Sequence, residues 1–296
     1  MTGRRQGLVK WASAKVNLFL HVGPRRSDGR HDLDSLVMFA DAEAADRLVL
    51  APARSDALTV EGPFAEAAGS SADNLALKAV AALRAVSSEP VAAEIHLDKQ
   101  LPVAAGLGGG SADAAAVLRA LGPLAGLDEA GCLALAARLG GDVPAALLNR
   151  PCLMRGDGDR VAALTRLPAL PAILVNPGAP CPTGQVFQAY DAAGGGAGFG
   201  ERPLPAPGSL DAMIDWLAAE TTNDLEAPAT GLVPAIATVA ATLNALSGVR
   251  LVRLSGSGAT VFALFTTQGE AEAAAAELRA AHPDWWVRAT VLGAGA

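Results

Sequence analysis

Residues 101–113 read Leu-Pro-Val-Ala-Ala-Gly-Leu-Gly-Gly-Gly-Ser-Ala-Asp, and the fold turns on how they are read. Four glycines, Gly106, Gly108, Gly109 and Gly110, fall within five positions. Upstream, Val91, Ala93, Ile95 and Leu97 keep the period of a strand over 91–98. Downstream, an alanine-rich helix is predicted over about 111–121. Glycine lets a backbone turn sharply and approach a ligand closely. The unpaired N–H groups at the start of a helix then face an anion, helped by the helix dipole. Ser111 adds a hydroxyl for phosphate or magnesium. No Gly-Lys-Ser/Thr follows, and no clean βαβ context surrounds the glycines, so this is neither a Walker loop nor a dinucleotide fingerprint. The competing reading is a tight turn packed with small residues. If the loop holds phosphate, a side chain at Gly109 is expected to occupy the phosphate space.

Toward the N-terminus, Ala-Lys-Val-Asn-Leu-Phe-Leu-His-Val at 14–22 alternates at Val16, Leu18, Leu20 and Val22, which predicts a half-buried strand with Lys15 and Asn17 on its other face. Strands are expected at 36–40, 46–50 and 57–61, and a helix from 74 to about 86 with Asp73 as its cap. A further helix runs from Asp128, as cap, to Gly140 and Gly141, and short strands follow at 151–155 and 160–164.

Pro168 and Pro171 mark a boundary, dividing the chain into 1–168 and 169–296. Beyond it come a strand at 172–176, helices near 183–190, 210–219 and 231–246, and a Gly/Pro-rich loop or disordered stretch over 191–208. Strands at 249–254, 259–265 and 285–291, with a helix at 268–281, close the chain. The class is α+β, and the second half has the order of a ferredoxin-like layer.

Composition narrows the function. Of 296 residues, 51% are hydrophobic and 18% charged, which is a globular and not a disordered balance. The net charge of −7 argues against a general nucleic-acid binder. Yet the first thirty residues hold Arg4, Arg5, Lys10, Lys15, Arg25, Arg26 and Arg30 against a single acid, Asp28. Such a patch suits either solvent or a phosphorylated small molecule. Cys132, Cys152 and Cys181 are odd in number and widely spaced, and the four histidines lack metal-ligand spacing. Neither a disulfide framework nor a protein-held metal is expected, and a reducing compartment fits. Lys10 and Lys15 interrupt any signal-peptide core, so a cytoplasmic location is expected. The uncharged stretch Ala227–Val249 contains Pro228, Pro234, Asn244 and Ser247 and reads as core helix, not membrane span.

Three more segments could carry chemistry. Lys15 and Asp142 together supply what phosphoryl transfer to an alcohol needs: a carboxylate to accept the hydroxyl proton and an ammonium to offset charge. Singly, Asp142 could cap a turn and Lys15 could be solvated. The small-residue loop Leu254-Ser255-Gly256-Ser257-Gly258-Ala259 could line phosphate or the glycine-rich loop, or could be a plain hairpin turn. Ser27-Asp28-Gly29-Arg30-His31-Asp32-Leu33 has turn chemistry and offers His31 to a polar ring.

These pieces, in this order, resemble the GHMP small-molecule kinases across nearly the whole chain. Within that family, Ala14 to Leu20 followed by Asp28-Gly29-Arg30-His31-Asp32-Leu33 is similar to the branch acting on 4-diphosphocytidyl-2-C-methyl-D-erythritol. The resemblance implies a ribosomal S5 domain 2-like first domain, a ferredoxin-like second domain, and a cleft between them for ATP and the cytidine substrate. It implies phosphorylation of the substrate's 2-hydroxyl, in the non-mevalonate route to isoprenoid precursors. By position, Asp142 would be the base and Lys15 its partner. Pro102, Val103, Ala104, Ala105, Gly106, Leu107, Gly108, Gly109, Gly110, Ser111 and Ala112 would hold ATP with magnesium, and Asn74 and Lys99 would lie near the adenosine. Asn17, Arg30, His31, Thr183 and Phe187 would hold the substrate.

The family's usual Tyr before the His is here Arg30, whose guanidinium plane can stack on a base and attract a diphosphate. The usual second Ser of the loop is Ala112. The alternatives are a GHMP kinase for homoserine, mevalonate or a sugar, and a catalytically silent nucleotide sensor. No nucleic-acid or membrane partner is expected.

Overall fold

The computed structural model describes residues 7–69, 73–196, 198–199 and 208–294. The first half runs β1 (Leu8–Ser13), β2 (Lys15–Arg25), β3 (His31–Phe39), β4 (Ala45–Pro52), β5 (Ala57–Glu61), α1 (Ala65–Ala68), α2 (Leu75–Val86), β6 (Ala93–Asp98), α3 (Gly109–Leu121), α4 (Glu129–Leu139), α5 (Val143–Leu148), β7 (Cys152–Gly156) and β8 (Arg160–Ala163). The second half runs β9 (Leu170–Asn176), α6 (Thr183–Ala192), α7 (Leu210–Glu220), α8 (Glu226–Leu232), α9 (Ala235–Asn244), β10 (Leu251–Leu254), β11 (Val261–Leu264), α10 (Gln268–Ala281) and β12 (Trp286–Leu292).

Among the described residues the strands form three four-stranded sheets, ordered β1-β4-β6-β5, β2-β3-β7-β8 and β10-β11-β9-β12. Neighbouring strands in these sheets are antiparallel except β5 and β6. Helices pack on the sheets in both halves, giving the α+β class. The helix α3 lies under β1 and β4 and against α2 and α5. Its Ala112, Ala114, Ala115, Ala116, Val117 and Leu118 are all buried, because alanine lets neighbours approach from nearly every side. A larger side chain at fully buried Ala115 would overpack this core by about 1–3 kcal/mol.

β2 departs from the half-buried strand expected. Its first nine residues are buried, including Lys15 at 5% and Asn17 at 1% exposure. A register shift between Asn17 and Phe19 breaks the alternation, as a bulge does. Val16, Leu18 and Phe19 therefore join the cluster around Leu174 and Phe262, while Leu20 and Val22 join the one around Val175 and Leu254.

Several caps and boundaries differ from those the sequence predicts. Asn74, not Asp73, caps α2, accepting from Ala76 N at 3.0 Å, while Asp73 pairs with Lys78. Asp128 caps α4 as expected, accepting from Gly131 N at 2.8 Å. α3 begins at Gly109, two residues before the expected start. Pro234 splits the expected 231–246 helix into the end of α8 and α9. β1 and α5 were not anticipated. In the 191–208 stretch, Asp191 and Ala192 end α6, and residues 197 and 200–207 lie outside the described residues. Among the described residues, no helix is long and apolar enough to cross a membrane.

Candidate active site

A cavity of about 490 Å³ opens where the glycine-rich loop meets the starts of β2 and α5. The loop reaches this place through backbone conformations that side chains disfavour: φ is +51° at Ala104, +77° at Gly106 and +64° at Gly108. Gly108 caps α3 without a side-chain hydrogen bond, leaving the helix's first N–H groups to a ligand.

Three hydrogen bonds hold the loop from two sides. Lys15 N donates to Leu107 O at 2.8 Å, tying it to β2. From the other side, Ser255 Oγ donates to Gly106 O at 3.0 Å, and Thr260 N to Ala105 O at 3.1 Å. A Cβ on Gly106 would overlap the Ser255 carbonyl oxygen, so only glycine permits the approach. The Ser255 loop thus packs against the glycine-rich loop, and its Gly256 and Ser257 line the cavity.

The Lys15 ammonium donates to Asp142 Oδ1 at 3.0 Å, with the lysine side chain 6% and the aspartate 32% exposed. Asp142 opens α5 and makes no cap hydrogen bond, so its carboxylate stays available to the cavity. Gly141 makes that corner possible, since a Cβ there would lie 2.6 Å from Asp157 O. A Cβ on Gly108 would sit 3.4 Å from Asp142 Oδ2 and 3.5 Å from Lys15 Cβ. The bare glycine therefore leaves room of one methyl group between the loop and the Lys15–Asp142 pair. A polyanion on the loop would have a paired base and cation at its end.

Asn17 lines the same cavity. Its Nδ2 donates to Ser35 Oγ at 2.8 Å, and its buried Oδ1 has no partner among the described residues. Thr183 shares a hydrogen bond with Ser257 Oγ at 2.9 Å. Phe187 borders this cavity and also a neighbouring one of about 510 Å³, which Arg30 and His31 line. There His31 Nε2 meets Asp191 Oδ1 at 2.8 Å, and its ring lies 5.1 Å from that of Phe187. Arg30 pairs with Asp157 at the rim. Phe187 and Leu33 join the two cavities, with Asn17 and Thr183 lining the first and His31 and Arg30 the second.

Other expected residues stand differently. Leu107 and Ala112 face the apolar core, not the cavity. Asn74 borders the cavity but its side chain is engaged with Ala76 N and Gly69 O. Lys99 also borders it, yet its ammonium donates to Asp46 Oδ2 and Asp113 Oδ2 at 2.6 Å each. A Cβ on Gly109 would point at Lys99 Nζ, 3.2 Å away, and not into phosphate space as expected. Burial and the neighbouring Asp46 push the Asp113 carboxyl up to about 7 against the opposing pull of Lys99. Lys99 itself is raised, because its two carboxylates outweigh the effect of burial.

Asp46, Asp113, Asp157 and Asp191 were missed from the sequence. Asp113 alone had a signal, lying four residues into α3. The others reach their partners across distant segments.

Residues 74–150 match the family model described as GHMP kinases N terminal domain, and residues 206–284 match GHMP kinases C terminal. This chain belongs to the GHMP kinase family. A Hyphomonas neptunium 4-diphosphocytidyl-2-C-methyl-D-erythritol kinase is 52% identical to this GHMP kinase over 297 residues, covering 99% of each chain. The enzyme of that name from Methylobacterium radiotolerans is 50% identical, covering 96% of this kinase and 99% of its own length. A crystal structure of 4-(cytidine 5'-diphospho)-2C-methyl-D-erythritol kinase superposes with a TM-score of 0.77 at 38% identity, covering 97% of this kinase and all of that chain.

Proposed function

We propose that this kinase moves the γ-phosphoryl group of ATP to the 2-hydroxyl of 4-diphosphocytidyl-2-C-methyl-D-erythritol. The observation that carries the reading is the 3.0 Å contact of Lys15 with Asp142 beside Gly108, in a chain that matches such kinases end to end. The product enters the non-mevalonate route to isoprenoid precursors.

In the reaction, the substrate oxygen forms a bond to the γ-phosphorus as the bond to the β,γ-bridging oxygen breaks. The hydroxyl proton passes to Asp142, and ADP leaves. Lys15 holds the Asp142 carboxylate in place by its hydrogen bond and offsets charge on the phosphoryl oxygens. The loop from Pro102 to Ser111 holds the phosphates by backbone N–H groups, with Asn74 and Lys99 toward the adenosine. Asn17 and Thr183 orient the substrate near the reacting hydroxyl. The Phe187, His31 and Arg30 wall receives the cytidine diphosphate, by stacking and by charge. The Ser111 hydroxyl is a hard oxygen donor suited to a magnesium ion that keeps its waters and phosphate ligands. Ser111 would help ATP hold such an ion, which would supply neutralising charge.

The same reading places the domain boundary at 168/169, between β8 in one sheet and β9 in another, and places the enzyme in the cytoplasm. The test is ADP release with a panel of alcohols. Turnover with the cytidine substrate and little with homoserine, mevalonate or galactose is expected. Turnover with only one of the latter would overturn the assignment.

A further inference from the structure

Residues 221–225 join α7 to α8 and have no part in the reaction scheme above. Their backbone is tied to β2: Leu20 N donates to Thr222 O at 3.0 Å, and Asp224 N to Leu20 O at 2.9 Å. Buried Arg253 fastens the same segment from β10, donating to Leu18 O and Thr221 O at 2.7 Å each and to Thr221 Oγ1 at 2.8 Å. Between these ties sits Asn223, which is also buried. Its Nδ2 donates to Leu254 O and Gly256 O, at 2.8 Å each, and its Oδ1 accepts from Leu225 N at 2.9 Å.

The two carbonyls belong to the neighbours of Ser255 on either side. Ser255 Oγ donates to Gly106 O and accepts from Asn17 N at 3.3 Å. Gly256 is set as tightly: its φ is +58°, and a Cβ there would lie 3.0 Å from Gly106 O and 3.4 Å from Asn17 Oδ1. Asn223 thus fixes the chain before and after the serine that grips the glycine-rich loop.

The chemistry asked of this position is narrow. Two carbonyl oxygens need two N–H donors from one side chain, and Leu225 N needs an acceptor. A carboxamide has all three. A carboxylate of the same shape keeps the acceptor but turns an oxygen toward Leu254 O and Gly256 O. An alanine removes the donors and the acceptor together.

We propose that Asn223 is a positioning residue for the glycine-rich loop, holding the 254–256 turn so that the loop keeps the conformation that receives ATP. This rests on the reading that the loop holds ATP. Without the amide the loop spends less time in that conformation, and apparent nucleotide affinity falls by the same fraction. Nucleotide that does bind still meets the Lys15–Asp142 pair. The loss therefore falls on the KM for ATP far more than on kcat or on the KM for the alcohol.

The test is ADP calorimetry with steady-state kinetics on the full-length enzyme. Asn223→Asp keeps the side-chain shape and the acceptor for Leu225 N while removing both donors. It is expected to raise the Kd for ADP and the KM for ATP by roughly tenfold, the scale of one or two lost hydrogen bonds. Its kcat and its KM for the cytidine substrate should stay near wild type. The control is Leu278→Ala, a cavity in the buried face of α10, which packs on β9 and β12. Its melting temperature should drop while both KM values stay near wild type. A merely structural role for Asn223 would make the two variants alike. Equal KM changes in both, or unchanged ADP affinity in Asn223→Asp, overturn the inference. If Asn223→Asp does not fold, hydrogen exchange of the wild type decides. ADP should slow exchange at Thr260 N and Leu225 N together, and more than at Leu278 N. Slowing at Leu225 N no greater than at Leu278 N overturns the inference. Wild type that binds no ADP overturns the underlying kinase reading instead.

Discussion

Lys15 Nζ and Asp142 Oδ1 stand 3.0 Å apart although 127 positions separate them in the chain. One starts β2 and the other caps the start of α5, and a Cβ built on Gly108 would meet both. Pairing a base with a cation makes their contributions interdependent.

Asp142→Asn is therefore expected to cut kcat by at least about a hundredfold, the usual scale for a lost general base. ATP affinity should stay near wild type. Lys15→Met should fall in the same range, and the double variant should be little worse than the poorer single one. Single-turnover rates with nucleotide binding measured separately check this. Normal turnover in Asp142→Asn removes the proposed base.

The glycines of the loop should not respond alike. Gly106→Ala forces a methyl into the Ser255 carbonyl at φ +77°, and loss of nucleotide binding is expected. At Gly110 a Cβ meets only Leu75 at 3.6 Å, within α3. Gly110→Ala should raise stability by about 0.5–1 kcal/mol through helix propensity. Thermal melts and ADP binding on both variants decide it.

Lys99→Met strands two buried carboxylates. A loss of about 3–5 kcal/mol is expected at pH 8, the scale for breaking a buried ion pair by removing one partner. The loss should shrink as pH falls, because Asp46 and Asp113 then take protons. Urea unfolding at pH 8 and pH 6 measures the difference.

Much of this arrangement was legible in the sequence because it depends on local chemistry. The glycine cluster, the Asp128 cap and the 268–281 helix are short-range signals, and the structure has all three. What escaped depends on distant partners. The bulge at Asn17 and Phe19 is set by pairing with β3, and no period within 14–22 announces it. Asp46 looks like any strand-edge carboxylate until Lys99 folds onto it. Arg30 and Asp157 form an ion pair only when the turn after β2 meets the turn after β7.

Asp224 offers a pH test in the second half. Burial pushes its carboxyl up, but hydrogen bonds from His21, Val22 N and Thr222 outweigh that and hold it below the ordinary carboxylate range. A depressed folded value gives stability that is complete above the unfolded value and lost as pH falls through the folded one. Asp224→Asn should cost about 1–2 kcal/mol at pH 6, the scale of hydrogen bonds to a charged group. Its curve should converge on wild type in acid below roughly pH 3. Chemical denaturation across pH 2–6 checks the convergence.

Arg30 is an exposed member of its ion pair, with its side chain 68% open to solvent. Arg30→Tyr should leave the melting temperature nearly unchanged, since exposed pairs contribute little. If the guanidinium serves by stacking, the KM for the cytidine substrate should stay level or fall. A large rise would mean that the arginine contacts the diphosphate in a way tyrosine cannot.

The close fit of Gly106 against Ser255 has a bearing on enzyme engineering. Backbone from the second half, 255–260, forms one wall of the first half's loop at 104–108. Chimeras that join the front of one homologue to the back of another would cut across this seam. Both stretches should be inherited from the same parent, and shuffling libraries should treat them as a single block despite the long gap between them.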